Sequence, residues 1–244
     1  MRRCVELIPF VLTGDTHGEY DRLLEIFNIM KKYDEKEKYI CITGDFGYLF
    51  KNTFYEHRIL NEIEKQDFIV VVIPGNHENY SEFKVYEIVD FHGARAHKIR
   101  NNIFYICRGE IFKIGNKAFF TMSGGYSVDG YMRRENISWW KDEMPTADEY
   151  AYADRNIENF RKNGGKINYV ISHTAPLSGL VYLRKDHGID ERPLNYYLEY
   201  NVRRVLGDEC EMHFYGHLHI DKEMPAINQR ALWFDYVELC IEEE

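Results

Sequence analysis

The sequence of 244 residues predicts an α/β protein. Two observations carry that expectation. Short apolar runs rich in β-branched residues alternate with stretches whose apolar residues recur at helical spacing. The run at residues 68–73, Phe-Ile-Val-Val-Val-Ile, is almost unbroken, as suits a parallel strand buried on both faces. A third observation concerns function. The apolar runs of the first half each end in a short segment joining Gly to Asp, Asn or His, which is where an open α/β sheet places its site. With 45% hydrophobic residues, the chain has enough apolar material for a full core.

Residues 10–13 read as a short buried strand. Residues 20–32 follow as a helix, with Leu23, Ile26, Phe27 and Met30 on one face. Residues 39–43 form the next strand and residues 54–66 the next helix, with Ile59, Leu60 and Ile63 on one side. Residues 68–73 complete a strand, helix, strand, helix, strand order. The middle changes character. Residues 103–108, 111–114 and 117–122 are short and β-rich, with a Gly115-Asn116 turn signal between the last two. They predict a second, more antiparallel sheet. Residues 124–145 are irregular and carry Tyr126, Tyr131, Arg133, Arg134, Trp139 and Trp140. Long loops in compact domains are often functional, although packing is the plainer reading of the two tryptophans. Thr146-Ala147-Asp148-Glu149 is a capping box. The helix it opens is expected to reach Asn163 and to stop at Gly164-Gly165. Residues 169–171 and 212–215 are strands, and residues 231–240 are expected to close the second sheet. No repeat, linker or low-complexity segment interrupts the chain, so one domain over residues 1–244 is expected.

Composition removes several function classes. The formal net charge is −9, whereas a protein that holds polyanionic nucleic acid by bulk attraction is usually basic. Long nucleic acid is therefore not an expected partner. No run of eighteen apolar residues exists, so neither a membrane-spanning helix nor a membrane partner is expected. Met1-Arg2-Arg3-Cys4-Val5-Glu6 is basic at its start but lacks the apolar stretch of a signal peptide. The five cysteines are odd in number and scattered, with no CxxC. They read as free thiols in a reducing compartment, which points to the cytoplasm.

Five segments carry the chemistry: Gly14-Asp15-Thr16-His17-Gly18, Gly44-Asp45-Phe46-Gly47, Gly75-Asn76-His77-Glu78, Ser172-His173 and Gly216-His217-Leu218-His219. Each alone has a plainer reading. An Asp beside Gly after a strand is commonly a helix N-cap or an Asx turn, and paired histidines can be ordinary surface residues. Together they offer mixed carboxylate, amide and imidazole donors, which suit borderline ions such as Mn, Fe, Zn or Ni better than Ca. A spacing of two in Asp15/His17 and in His217/His219 would let each pair project from one side of an extended segment. His57, His92, His97, His187 and His213 match no motif and read as surface or packing residues.

In this order the five segments resemble the calcineurin-like metallophosphoesterase superfamily, whose pattern is DxH, GDxx, GNHE, a lone His and GHxH. The resemblance runs from Asp15 to His219. It implies a four-layer α/β/β/α sandwich of two mixed β-sheets and two divalent cations, with Mn favoured. It implies that Asp45 bridges the ions, that Asp15, His17 and His219 complete one site, and that Asn76, His173 and His217 complete the other. The implied reaction is hydrolysis of a phosphomonoester or phosphodiester by attack of a hydroxide bridging the metals. His77 would act as general acid or steady the transition state.

One departure bears on the substrate. In the protein Ser/Thr phosphatase branch the second motif reads GDxxDRG, and the corresponding positions here are Tyr48, Leu49 and Phe50. With that Asp and Arg missing, Arg133 or Arg134 is the candidate anion clamp. A diester carries one negative charge fewer and needs less cationic help, so a small diester or nucleotide-like substrate is expected. The alternatives are a nuclease or protein phosphatase of the same superfamily, or a non-catalytic metal-binding interaction protein.

Overall fold

The structure, a computed structural model, describes residues 7–186 and 188–243. Cys4, the rest of the basic N-terminal segment, His187 and Glu244 lie outside the described residues.

The apolar runs of the first half become β1 (Leu7–Thr13), β2 (Tyr39–Ile42) and β3 (Ile69–Val72). They pair in parallel, with Val11 opposite Ile40 and Ile40 opposite Val70. Their side chains alternate between two buried faces. Val11, Ile40, Val70 and Val72 pack under helices α1 (Tyr20–Met30) and α2 (Phe54–Glu64). Phe10, Leu12, Tyr39, Cys41 and Val71 face the second sheet, where Phe112, Phe119, Tyr169, Ile171 and Phe214 meet them. Burial on both faces is why these runs read as continuous rather than alternating.

After a short helix α3 (Tyr80–Phe83), β4 (Ile88–Phe91), β5 (Ala94–Arg100) and β6 (Ile103–Ile106) extend the first sheet. This corrects the assignment of residues 103–108 to the second sheet: β6 lies parallel to β3, with Val71 opposite Phe104. The antiparallel β4–β5 hairpin brings the chain back to that sheet. Its Asp90, Arg95, His97 and Lys98 hide the strand period from a sequence reading.

The second sheet contains β7 (Ile111–Ile114), β8 (Lys117–Met122), β9 (Tyr169–Ser172), β10 (Met212–Tyr215), β11 (Lys222–Met224) and β12 (Gln229–Ala231). It is mixed rather than mainly antiparallel. β8, β9, β10 and β12 pair in parallel, and only β7–β8 and β11–β12 are antiparallel. Its outer face holds Phe120, Met122 and Val170 against α4 (Ala147–Lys162) and a later helical segment that includes Leu194 and Leu198. The final strand, β13 (Tyr236–Glu242), does not close this sheet as expected. It pairs antiparallel with β1 on the first. The Asp221 carboxylate accepts the N–H groups of Trp233, Phe234 and Asp235 at 2.7, 3.1 and 2.9 Å, turning the chain away after β12.

The result is the α/β sandwich of two mixed sheets flanked by helices. The capping box at the start of α4 forms as read, with Glu149 N–H on Thr146 Oγ1 and Thr146 N–H on Glu149 Oε2, at 3.3 and 2.8 Å. The helix ends at Lys162 with Asn163 as its C-cap, followed by Gly164 at φ +83°. Among the described residues no helix is long and apolar enough to cross a membrane, and Cys41, Cys107, Cys210 and Cys240 are free.

Candidate metal centre

The five segments follow β1, β2, β3, β9 and β10. Because these strands run parallel within their sheets, their C-terminal ends bring all seven candidate ligands together. Two groups of donor atoms lie within 4.8 Å of one another: Asp15, His17 and His219, and Asp15, Asp45 and His173. Asp15 belongs to both groups. Its Oδ2 is 3.2 Å from His219 Nε2 and 3.9 Å from His17 Nε2. Asp45 Oδ1 is 3.5 Å from His173 Nε2, and its Oδ2 is 4.0 Å from His17 Nε2. Both buried carboxylates thus lie between the histidines of the two groups.

The segments are turns rather than the extended pieces expected from the two-residue spacings. His17, Asp45, His217 and His219 all have left-handed backbone, at φ 48°, 49°, 65° and 50°. Such conformations cost a non-glycine residue about 1–2 kcal/mol each and cluster at functional sites. The turn at 217–219 sends the two histidines different ways. His219 meets His17, Nε2 to Nε2 at 2.9 Å, whereas His217 packs its ring against His173 at 4.8 Å between centroids.

The donor set fits a cation. The His173 Nδ1–H donates to the Thr43 carbonyl at 2.8 Å, so its neutral ring has only a lone pair at Nε2. That lone pair faces Asn76 Oδ1 at 2.9 Å. The Asn76 Nδ2 donates to Ser127 Oγ at 3.0 Å, so the oxygen is the amide atom turned to the site. Acceptors facing one another in a buried place need positive charge between or beside them. At Gly125, an added Cβ would stand 3.4 Å from both Asn76 Oδ1 and His217 Cε1, and 3.1 Å from His173 Cδ2. The missing side chain leaves the gap around which these three residues gather.

The electrostatics agree. Burial raises the Asp45 carboxyl, but the imidazoles of His173, His77, His17 and His217 outweigh it and bring the pKa to about 2. Burial opposes charge on His217, yet the carboxylate of Glu191, with Asp45 and Asp15 beyond, pushes it up to about 9. The site is built to hold positive charge beside negative.

His77 lies at the site with its backbone N–H on Asp45 Oδ1 at 2.8 Å. The Arg133 guanidinium sits against its ring, Nη1 to Nδ1 at 3.0 Å, and pairs with Asp129 at 2.8 Å. Desolvation lowers the His77 pKa; Asp45 opposes this, and the Arg133 charge adds to the lowering. Of the two candidate arginines, only Arg133 is brought here. Arg134 is exposed, and its N–H and carbonyl bond within the loop, to Ser138 Oγ and from Ile137 and Ser138 N–H. Tyr48 and Leu49 are wholly buried, and Phe50 packs edge-on against buried Trp140. The motif's Glu78 lies behind the ligands and accepts the Phe46 N–H at 2.8 Å; its burial raises its pKa well above the usual range.

Four contributors escaped the sequence reading. Glu191, wholly buried, places Oε1 2.8 Å from His217 Nε2. Ser127 holds Asn76 and donates its own hydroxyl to buried Glu143 at 2.7 Å. Trp233 stacks on His219 at 5.2 Å, 10° from parallel. None lies in a motif, and no local pattern marks them. A cleft of about 400 Å³ opens beside the site, running from His17 and His77 past Phe50, Lys51 and Tyr55.

A family model for calcineurin-like phosphoesterases matches residues 8–221. Among solved structures, one crystal structure is 12% identical, with a TM-score of 0.57 over 96% of this chain and 95% of that one, a likeness of fold alone. The NAD nucleotidase NadN of Haemophilus influenzae is 11% identical, with a TM-score of 0.43 over 91% of this chain and 40% of that one. No curated protein matches the sequence.

Proposed function

The chain belongs to the calcineurin-like phosphoesterase family, and from that premise we propose that it hydrolyses a small phosphodiester or nucleotide-like phosphoester with the help of two divalent cations. The observation that carries the reading is the convergence of metal-ligating atoms at one place: His173 Nε2 and Asn76 Oδ1 at 2.9 Å, beside Asp45, with Asp15, His17 and His219 adjoining. Asp15, His17 and His219 would hold one ion and Asn76, His173 and His217 the other, with Asp45 shared. Bound ions there would draw charge from phosphoryl oxygens and make a water more acidic.

The remaining roles fall to the chain's own groups. Arg133, set by Asp129 against His77, places a guanidinium charge at the site's edge, where it would attract a phosphoryl oxygen. His77 lies between Arg133 and Asp45, where an imidazole can stabilise or protonate the leaving oxygen. The cleft beside His17 and His77 falls within the size range of small-ligand sites. Phe50 and Tyr55 give it apolar lining for an organic leaving group, and Lys51 adds positive charge at the wall. Burial of Tyr48 and Leu49 supports the same preference, because neither can serve a phosphomonoester dianion as Asp and Arg would.

The test has two parts. Metal analysis of the purified protein should find two equivalents of a transition ion, Mn being the favoured one. With Mn added, kcat/KM should be higher for bis-p-nitrophenyl phosphate than for p-nitrophenyl phosphate, a phosphopeptide or single-stranded DNA. Absence of both metal and hydrolysis would overturn the enzyme reading. A phosphopeptide as best substrate would overturn only the substrate preference.

A further inference from the structure

Glu191 and the Ser127–Glu143 pair share a relation to the site that no motif records. Each holds the far side of a candidate ligand. His217 has two ring nitrogens, and Nε2 is held by Glu191 Oε1 at 2.8 Å, with the imidazole only 7% exposed. A carboxylate there accepts a hydrogen bond from Nε2–H, which keeps the proton on that nitrogen and leaves the lone pair of a neutral ring on Nδ1. Asn76 likewise has two faces to its amide. Its Nδ2 donates to Ser127 Oγ at 3.0 Å, and the Ser127 hydroxyl donates in turn to Glu143 Oε2 at 2.7 Å. Glu143 Oε1 also takes the Ser127 N–H at 2.9 Å, so the serine is gripped twice. The same residues tie down the long loop, because Glu191 Oε1 accepts the Tyr126 N–H at 3.1 Å.

Burying carboxylates is costly unless each is well partnered. Glu191 and Glu143 are 0% and 1% exposed, in a site that already contains Asp15 and Asp45. Structure alone does not require so much negative charge in one place. Two divalent cations would balance it.

We propose that Glu191 and the Ser127–Glu143 pair are positioning residues that select the ligating atoms of one ion site, Nδ1 of His217 and Oδ1 of Asn76. The proposal rests on the two-ion reading above, but it is independent of the substrate. An imidazole or amide free to turn would present a donor to the cation half the time. Held from behind, it presents a lone pair, and its basicity rises with the carboxylate behind it. Supports of this kind are typically worth a factor of roughly 10–100 in metal affinity.

The experiment is a titration of chelator-stripped, full-length protein with Mn²⁺ by calorimetry, with the metal-free melting temperature of each variant recorded alongside. Wild type should bind two ions. Glu191→Ala and Ser127→Ala should each weaken one ion by roughly 10- to 100-fold and leave the other as in wild type. Glu191→Gln should recover most of the loss, because its amide oxygen still accepts the Nε2 proton. Should Glu191→Ala fail to fold, Ser127→Ala and Glu191→Gln still decide the matter. Unchanged affinity for both ions in the folded variants would overturn the proposal, as would equal weakening of both ions with a lowered metal-free melting temperature. Wild type binding no Mn²⁺ would overturn the two-ion reading, and the positioning role with it.

Discussion

Arg133 and Arg134 are adjacent in sequence, yet only one belongs to the site. Arg133 is turned inward by Asp129 and by the Ser138 carbonyl at 3.2 Å, and its guanidinium lies on His77. Residue type and loop position nominate both; the direction of a side chain on an irregular loop cannot be read from either. We predict that Arg133→Ala raises KM for a phosphoester by roughly 10- to 100-fold, the usual loss for a charge-assisted hydrogen bond of about 1.5–3 kcal/mol. Metal content should stay the same, and Arg134→Ala should behave as wild type. Steady-state kinetics on the two variants checks this, and equal effects from both would remove the distinction. The seven candidate ligands were legible because their chemistry is written in residue type and spacing. Glu191, Ser127 and Glu143 were not. Ser127 meets Asn76 across 51 positions and Glu143 across 16, and a lone Ser or Glu in a polar loop reads as solvated.

At the scale of elements, local signals held where local physics decides. The Thr146 and Glu149 capping box forms with both of its hydrogen bonds, and Thr146→Ala should cost about 1 kcal/mol. Thermal or urea denaturation measures that loss, and an unchanged midpoint would mean that α4 is held by packing alone. Gly44 is a sharper case. Its φ is +116°, and an added Cβ would lie 2.1 Å from His173 Nδ1. We predict that Gly44→Ala displaces His173 or the turn after β2 and reduces metal binding more than stability. Metal content beside melting temperature would show it, and normal metal loading would refute it. Elements failed to read where alternation was obscured. The β4–β5 hairpin carries charged and aromatic residues on strands that only the sheet explains.

Across the whole molecule, buried titratable groups tie stability to pH. His213 is wholly buried; its Nε2 meets Ser172 Oγ at 2.7 Å, and its Nδ1 has no hydrogen-bond partner among the described residues. Burial, with the Arg203 charge adding, drives its pKa well below the ordinary 6.5. As pH falls through about 6.5, the unfolded chain takes up a proton there that the native chain refuses. The stability from keeping His213 neutral is therefore fully present above that pH and declines below it, by up to about 1.4 kcal/mol per pH unit. We predict that His213→Gln flattens the fall in stability between pH 6.5 and 5 relative to wild type, whatever its effect at neutral pH. Urea denaturation at several pH values tests this, and parallel curves for the two proteins would rule out the role.

What the sequence determined by itself was the fold class, the family and the residue types of the candidate metal centre. Buried parallel strands must be apolar along their length, and metal-ligating side chains must be of the right type at the strand ends. Both demands leave marks within a few residues. The tertiary structure alone decided which sheet β6 and β13 join, which arginine faces the site, and that His17, His217 and His219 sit on left-handed turns. It also decided which carboxylates stand behind the candidate ligands. These outcomes depend on contacts between segments far apart in the chain. A β-rich run looks the same in either sheet when both of its faces are buried, and a buried glutamate looks like a surface one until its partner arrives from another strand.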